Sequence, residues 1–253
     1  MTASVALYCI NLQDAGARRA LMEEQFAQIS FPAQFIEAVD GRALDIASVK
    51  EYDRKARLRY GADLAPNEIA CALSHKRALE TFLASGNAFG VVLEDDVKLA
   101  GDFETAIRDL LGREAKWDVV RFHLARKNKR PLKVRKLNDR YDLIVPFNAT
   151  HGLLGSIYTK QGAAKAAKSL ERFHLAADTH LGETFRNSLV TAALSPPLVF
   201  ERDIVSTIGA RPKGGDMHEG SALKKLRLRR MKLERSIGKR VDAARTWLRL
   251  RGG

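Results

Sequence analysis

The chain has 253 residues, 45% of them apolar and 29% charged, with a formal net charge of +13. That length suits one large domain or two small ones, and it can bury roughly 70–75% of the unfolded surface without covalent staples. With 18 Gly, 7 Pro and no long repeat, fibrous, low-complexity and largely disordered classes are excluded.

Taken in chain order, Val5–Ile10 is an apolar run rich in β-formers. No basic region precedes it, so it reads as a strand and not a signal peptide. A helix-period segment follows over Ala17–Ile29, then a second extended run, Phe35–Val39, which ends at Asp40-Gly41. Pro66 sits where a first helical turn accepts it, and Asn67–Ala84 has the pattern of an amphipathic helix. Phe89–Leu93 predicts a buried strand, Asp102–Leu111 a helix and Asp118–Phe122 another strand. Leu143–Val145 and Gly155–Thr159 are further strand candidates, Gln161–Leu170 and Thr179–Asn187 read as helical, and Lys127–Arg140 reads as a basic loop. No segment approaches the about 18 consecutive apolar residues that span a bilayer. Cys9 and Cys71 form no CxxC and have no finger spacing, which points to a reduced, cytosolic chain.

Alternation of strands and helices over the first 120 residues predicts an α/β sheet of mostly parallel strands. Such sheets place ligands at the carboxyl ends of their strands. The site is therefore expected just after Leu12, Val39, Leu93 and Phe122. At one of these points stand three carboxylates in a row, Glu94, Asp95 and Asp96. Their mutual repulsion is relieved by a cation or by solvent. With water, carboxylates suit Mg²⁺ or Mn²⁺, metals that commonly carry substrate phosphates. A solvated acidic turn opening the next element is the alternative. GxxxxGK[ST], GxGxxG, HExxH and GxSxG are all absent, so a nucleotide would be held through a metal and loop contacts. Glu68, Cys71 and His75 share one face of the Asn67–Ala84 helix, with Ser74 alongside. That face suits zinc or a nucleophile, or else a packed thiol beside a hydrogen-bonded histidine.

Four motifs in order resemble glycosyltransferase family 25, the lipopolysaccharide or lipooligosaccharide galactosyltransferase-like group. They are Tyr8-Cys9-Ile10-Asn11-Leu12 with Arg18-Arg19, Ala38-Val39-Asp40-Gly41, Asn67 to His75, and Val92-Leu93-Glu94-Asp95-Asp96-Val97. Weaker similarity runs on through Gly155-Ser156-Ile157-Tyr158, Gly162-Ala163-Ala164, Ala177-Asp178 and Ser206-Thr207-Ile208-Gly209. The resemblance implies a GT-A-like fold and an inverting transfer, typically of galactose from UDP-galactose. The acceptor it implies is a sugar of lipopolysaccharide or another bacterial surface glycan. It makes Glu94, Asp95 and Asp96 the counterpart of the DxD motif. Asp95 and Asp96 would then hold Mn²⁺ or Mg²⁺, with Asp96 in the catalytic centre. It also assigns Asn11, Leu12, Arg18 or Arg19, Asp40, Gly41, Glu68, Ser74 and His75 to the donor pocket, and makes Asp178 the candidate base, with a metal or donor role as the alternative. Ala176-Ala177 stands where the family usually has Pro-Val. A catalytically idle member of the same fold, recruited to membranes, is the other reading.

The charge is not evenly spread. Residues 221–253 carry 12 Lys/Arg against 2 acids, leaving the first 220 with 31 bases and 28 acids. The chain thus divides into a near-neutral body (1–220) and a basic amphipathic helical tail (221–253). Leu223, Leu226, Leu233, Ile237, Val241, Ala244 and Leu248 share a helix face, with Trp247 near its edge. The pattern is that of a helix on an anionic membrane surface, which would place the protein at the inner face of the bacterial cytoplasmic membrane. Packing of the stripe on the body is the alternative. Nucleic acid is not expected as a partner, because aromatic interleaving and a recognition module are both absent.

Overall fold

The computed structural model describes residues 4–60, 62–112, 114–124, 131–147, 152–202 and 222–252, with side chains of the last segment from 229 onward. From the N-terminus the elements are β1 (Val5–Asn11), α1 (Gly16–Phe26), β2 (Ala33–Glu37), α2 (Arg54–Leu58), α3 (Pro66–Ala84), β3 (Phe89–Glu94), β4 (Val97–Leu99), α4 (Phe103–Leu111) and β5 (Val119–Arg121). They continue with β6 (Leu132–Lys136), β7 (Asp142–Val145), β8 (Gly155–Thr159), α5 (Lys160–Ser169), α6 (Ala177–Gly182), α7 (Thr184–Asn187), β9 (Thr191–Ser195), β10 (Val199–Glu201) and α8 (Ala222–Arg251).

Eight strands form one mixed sheet in the order β2-β1-β3-β8-β5-β9-β7-β6. Only β8 and β7 run against the common direction, so the sheet is largely parallel. β10 and β4 pair separately. Successive residues of a strand point to opposite faces, and the core divides accordingly. Leu7, Cys9 and Leu93 pack with Met22 and Phe26 of α1 and Phe103, Ile107 and Leu110 of α4. Tyr8, Ile10 and Val92 pack on the other side with Ile69, Leu79 and Phe82 of α3 and Ala163 and Ala166 of α5. A sheet covered on both faces explains why β1 is buried throughout and apolar up to its last residue, Asn11, without polar alternation. Both cysteines are free thiols. Among the described residues no helix is long and apolar enough to cross a membrane.

Several elements depart from their expected course. The 132–136 part of the expected Lys127–Arg140 loop is a strand, β6; residues 127–130 lie outside the described residues. β6 is the sheet edge, where lysine and arginine side chains face water and discourage further pairing. The expected helix over Thr179–Asn187 is two short ones, α6 and α7, broken at Glu183. β9 carries no aromatic residue and reads TAALS, yet it lies between β5 and β7 because the sheet around it supplies the burial. The 206–209 segment lies outside the described residues.

Candidate functional site

The carboxyl ends of β1, β2 and β3, with the first turns of α1 and α3, enclose a cleft of about 250 Å³ that opens to solvent. Leu12, Arg18, Asp40, Gly41, Ser74, His75, Glu94, Asp95 and Asp96 line it, joined by Arg42, Asn67 and Cys71. A parallel sheet concentrates a site there because adjacent strands end together.

Each wall is pinned by a short-range bond. Ser74 Oγ accepts from Val39 N at 2.8 Å and donates to Ala70 O at 2.7 Å, tying the end of β2 to α3. His75 is buried, with Nε2 3.2 Å from Glu94 Oε1, and so links α3 to β3. Gly41 lies against the α3 N-terminus, where a Cβ would meet Asn67 Oδ1 at 2.0 Å and Asn67 Cα at 2.7 Å. Glycine is needed here for close approach of the chain's own helix.

The three carboxylates stand in different surroundings. Asp95 is buried and fully engaged: Asn11 Nδ2 donates to Oδ2 at 2.7 Å, and Arg18 Nη1 lies 3.1 Å from Oδ1. Its acidity is still weakened, because burial outweighs those two partners. Asp96 is pushed up to about 6, first by burial and then by the charges of Glu94 and Asp95. Its Oδ1 is buried and finds no hydrogen-bond partner among the described residues. An orphaned acceptor of this kind marks a position made for a cation or an added donor. Asp40 faces the cleft too, but Arg42 grips both its oxygens at 2.7–3.0 Å and holds its carboxyl below the usual range. Arg42 also reaches Asp14 at 2.6 Å.

Not every expected pocket residue lines the cleft. Asn11 acts behind it, orienting Asp95. Arg19 is exposed, paired with Glu23 and stacked 4.2 Å from the Phe35 ring centroid, so Arg18 is the arginine at the site. Glu68 caps α3, accepting from Ala65 N at 3.0 Å. Asp178, in the first turn of α6, accepts from Thr179 N at 2.5 Å, Thr179 Oγ1 at 3.1 Å and Gly152 N at 3.2 Å. It stands near enough to Cys71 to help hold that thiol protonated, after burial and Glu94. Sequence reading overlooked Arg42, although it directly follows the Asp40-Gly41 turn at a strand end. It also overlooked Arg121, a buried guanidinium at the end of β5. Arg121 reaches only Ser156 Oγ, at 3.5 Å, and its Nε and Nη2 find no partner among the described residues.

Two donor sets could take a metal. Asp96 Oδ1, with Glu94 beside it, is a hard oxygen set of the kind Mg²⁺ and Mn²⁺ favour. Cys71, His75 and Glu94 are a softer set whose ligand atoms all lie within 4.8 Å of one another. Asp95 is less available than Asp96, since it already accepts from Asn11 and Arg18.

The geometry is that of an α/β domain with an acidic cleft at the switch from strands to helices. The model of "Glycosyltransferase family 25 (LPS biosynthesis protein)" matches residues 5–181. A Mus musculus protein named "Inactive glycosyltransferase 25 family member 3" is 32% identical over 134 residues, covering 49% of this chain and 22% of that protein. "Procollagen galactosyltransferase 1" of Danio rerio is 24% identical over 172 residues, 64% of this chain and 28% of its own length. The chain spans about a quarter of the length of these curated relatives. The crystal structure of A197 from STIV is similar at a TM-score of 0.43 and 12% identity, over 78% of this chain and 85% of that one. The chain belongs to glycosyltransferase family 25.

Proposed function

We propose that this is an inverting, cation-dependent hexosyltransferase with a GT-A-like donor site. It moves galactose from UDP-galactose to a sugar acceptor of lipopolysaccharide or another surface glycan. The observation that carries this reading is the Oδ1 of Asp96, buried and without a partner among the described residues, in an acidic cleft at the strand ends. The family's description and the name of the fish relative favour the acceptor and the sugar. Asp96, with Glu94, would hold a Mg²⁺ or Mn²⁺, which offsets the charge developing on the departing diphosphate.

The chain's own groups do the rest. Arg18, locked by Asp95, offers its remaining guanidinium N–H groups to phosphate oxygens. Arg42, whose Nε and Nη2 hold Asp40 and Asp14, leaves only its Nη1 for the same purpose at the other wall. Asp178 takes the proton from the acceptor hydroxyl, its carboxylate oriented by Thr179 and Gly152. Asp178→Asn is therefore expected to lower kcat about a hundredfold or more with little change in donor KM, as steady-state assays would read. Arg18→Ala should weaken UDP binding about tenfold or more in calorimetry with Mn²⁺ present, while Arg19→Ala leaves it unchanged. Equal losses in the two arginine variants would remove Arg18 from the donor site.

The mouse relative's name favours a second reading, a fold-keeping but idle member. A panel of UDP-sugars with Mn²⁺ or Mg²⁺, scored for both binding and transfer, separates the two. Binding without donor hydrolysis or transfer supports the idle reading. Absence of any cation-dependent UDP binding sinks both.

A further inference from the structure

The way α8 meets the body is the reverse of what its composition suggests. It lies on β6, β7 and α7, and the face it turns inward joins polar contacts to apolar ones, with Ala243, Trp247 and Leu250 packed on the core. Arg235 pairs with the fully buried carboxylate of Glu183, at the break between α6 and α7. Asp242 accepts from Thr184 Oγ1. Trp247 Nε1 donates to Lys133 O at 2.8 Å. Gly238 admits the Phe185 ring, which a Cβ would approach to 2.9 Å, while Ala243 and Thr246 are buried.

On a helical wheel Arg235, Asp242 and Thr246 are opposite Leu233, Ile237, Val241, Ala244 and Leu248, which fall within a sector of about 80°, and Trp247 flanks that sector. Those apolar residues face outward. Leu233 is 61% exposed, Ile237 53%, Val241 43% and Leu248 62%. Four of the six large apolar side chains exposed among the described residues thus lie in one stripe. Scattered single exposures are ordinary; a contiguous row signals a partner. Arg229 and Arg240 border the stripe on one side and Arg245 on the other, all exposed and none in an ion pair among the described residues. The side chains of Leu223 and Leu226, which the sequence pattern puts on the same stripe, lie outside the described residues.

We propose that the outward face of α8 docks on an anionic lipid bilayer, its apolar row entering the headgroup boundary and its arginine borders meeting lipid phosphates. Each basic residue near such a surface strengthens binding about fivefold, so the two borders act together with the apolar row. A second copy of the chain fits less well, because a two-fold contact through this stripe would set the same arginine borders against each other. The cleft lies on β1 to β3 and α8 on β7 and β6. Four strand spacings separate β3 from β7, roughly 20 Å, which leaves the cleft clear of the bilayer yet close to it. Lipid docking is a property of α8 and does not depend on what the cleft transfers.

Flotation of the full chain with vesicles of phosphatidylethanolamine and phosphatidylglycerol, against pure phosphatidylcholine, tests this. The wild type is expected to float with the anionic vesicles only and to be released by salt. Leu233→Glu/Ile237→Glu/Leu248→Glu, which alters exposed positions alone, should weaken binding by at least about tenfold. Arg240→Glu/Arg245→Glu tests the borders without touching the apolar row and should weaken it comparably. Equal flotation of the wild type and both variants overturns the proposal, as does equal binding to phosphatidylcholine. So does sedimentation showing a wild-type dimer that the triple variant loses while vesicles bind neither protein. Unchanged UDP binding in the variants would keep failure here separate from failure of the transferase reading.

Discussion

Asp96→Asn is expected to lower transfer by about a hundred- to a thousandfold while making the cation-free protein more stable. The carboxylate is half-buried beside Glu94 and Asp95, and burial first, then those neighbours' charges, push it up to about 6 from an ordinary 3.8. A raised carboxyl means that the folded state keeps its proton where the unfolded chain has released it. Between about pH 4 and 6 the wild type therefore loses stability as pH rises, and above 6 the full cost remains. A shift of that size corresponds to about 3 kcal/mol, and partial exposure reduces it to about 1–2 kcal/mol. The amide removes that charge, so stability of the variant in urea unfolding should fall less than that of the wild type across the same window. Adding Mn²⁺ should reverse the ranking, because only the wild type gains from the bound cation. A variant that is neither more stable without cation nor less active with it would detach Asp96 from the site.

The same crowding explains why function is legible here at the level of a motif. A run such as Val91-Val92-Leu93 followed by three acids announces a buried strand that ends in charge, and the structure puts those acids in the cleft. Pro66 at the first turn of α3 and the Asp40-Gly41 turn after β2 were readable for similar reasons, since each is a local conformational demand. What local sequence could not convey is which neighbour a side chain meets. Arg18 and Arg19 are adjacent and chemically alike, yet one faces Asp95 and the other Phe35, because successive helical positions are rotated by about 100°. Glu68 looked like a pocket residue and is engaged in capping its own helix. β9 escaped notice because its burial comes from β5 and β7, not from its own composition. The tail showed its apolar row plainly; the side that binds the body depends on Glu183 and Thr184, residues remote in sequence.

Gly41→Ala should be the most damaging single methyl in the cleft. A Cβ there would sit 2.0 Å from Asn67 Oδ1, which a side chain could in principle vacate by rotating. It would also sit 2.7 Å from Asn67 Cα and 2.8 Å from Asn67 N, and these are backbone atoms at the start of α3. Relief thus requires the helix terminus or the Asp40–Arg42 turn to move. Overpacking of this kind costs about 1–3 kcal/mol when the surroundings yield, and more when backbone must shift. The displacement also reaches the site. α3 carries Ser74, which holds Val39, and His75, which meets Glu94. A shift of its first turn therefore disturbs both the β2 wall and the acidic wall. The expected result is a fall in unfolding free energy of about 2–3 kcal/mol together with at least about a tenfold rise in donor KM. Asn67→Ala in the same background removes the Oδ1 clash but leaves both backbone contacts. It should recover only a fraction of the stability and little of the donor affinity. Full rescue by that double variant, measured by thermal unfolding and UDP titration, would show that the glycine serves the asparagine side chain alone and not the approach of the two backbones.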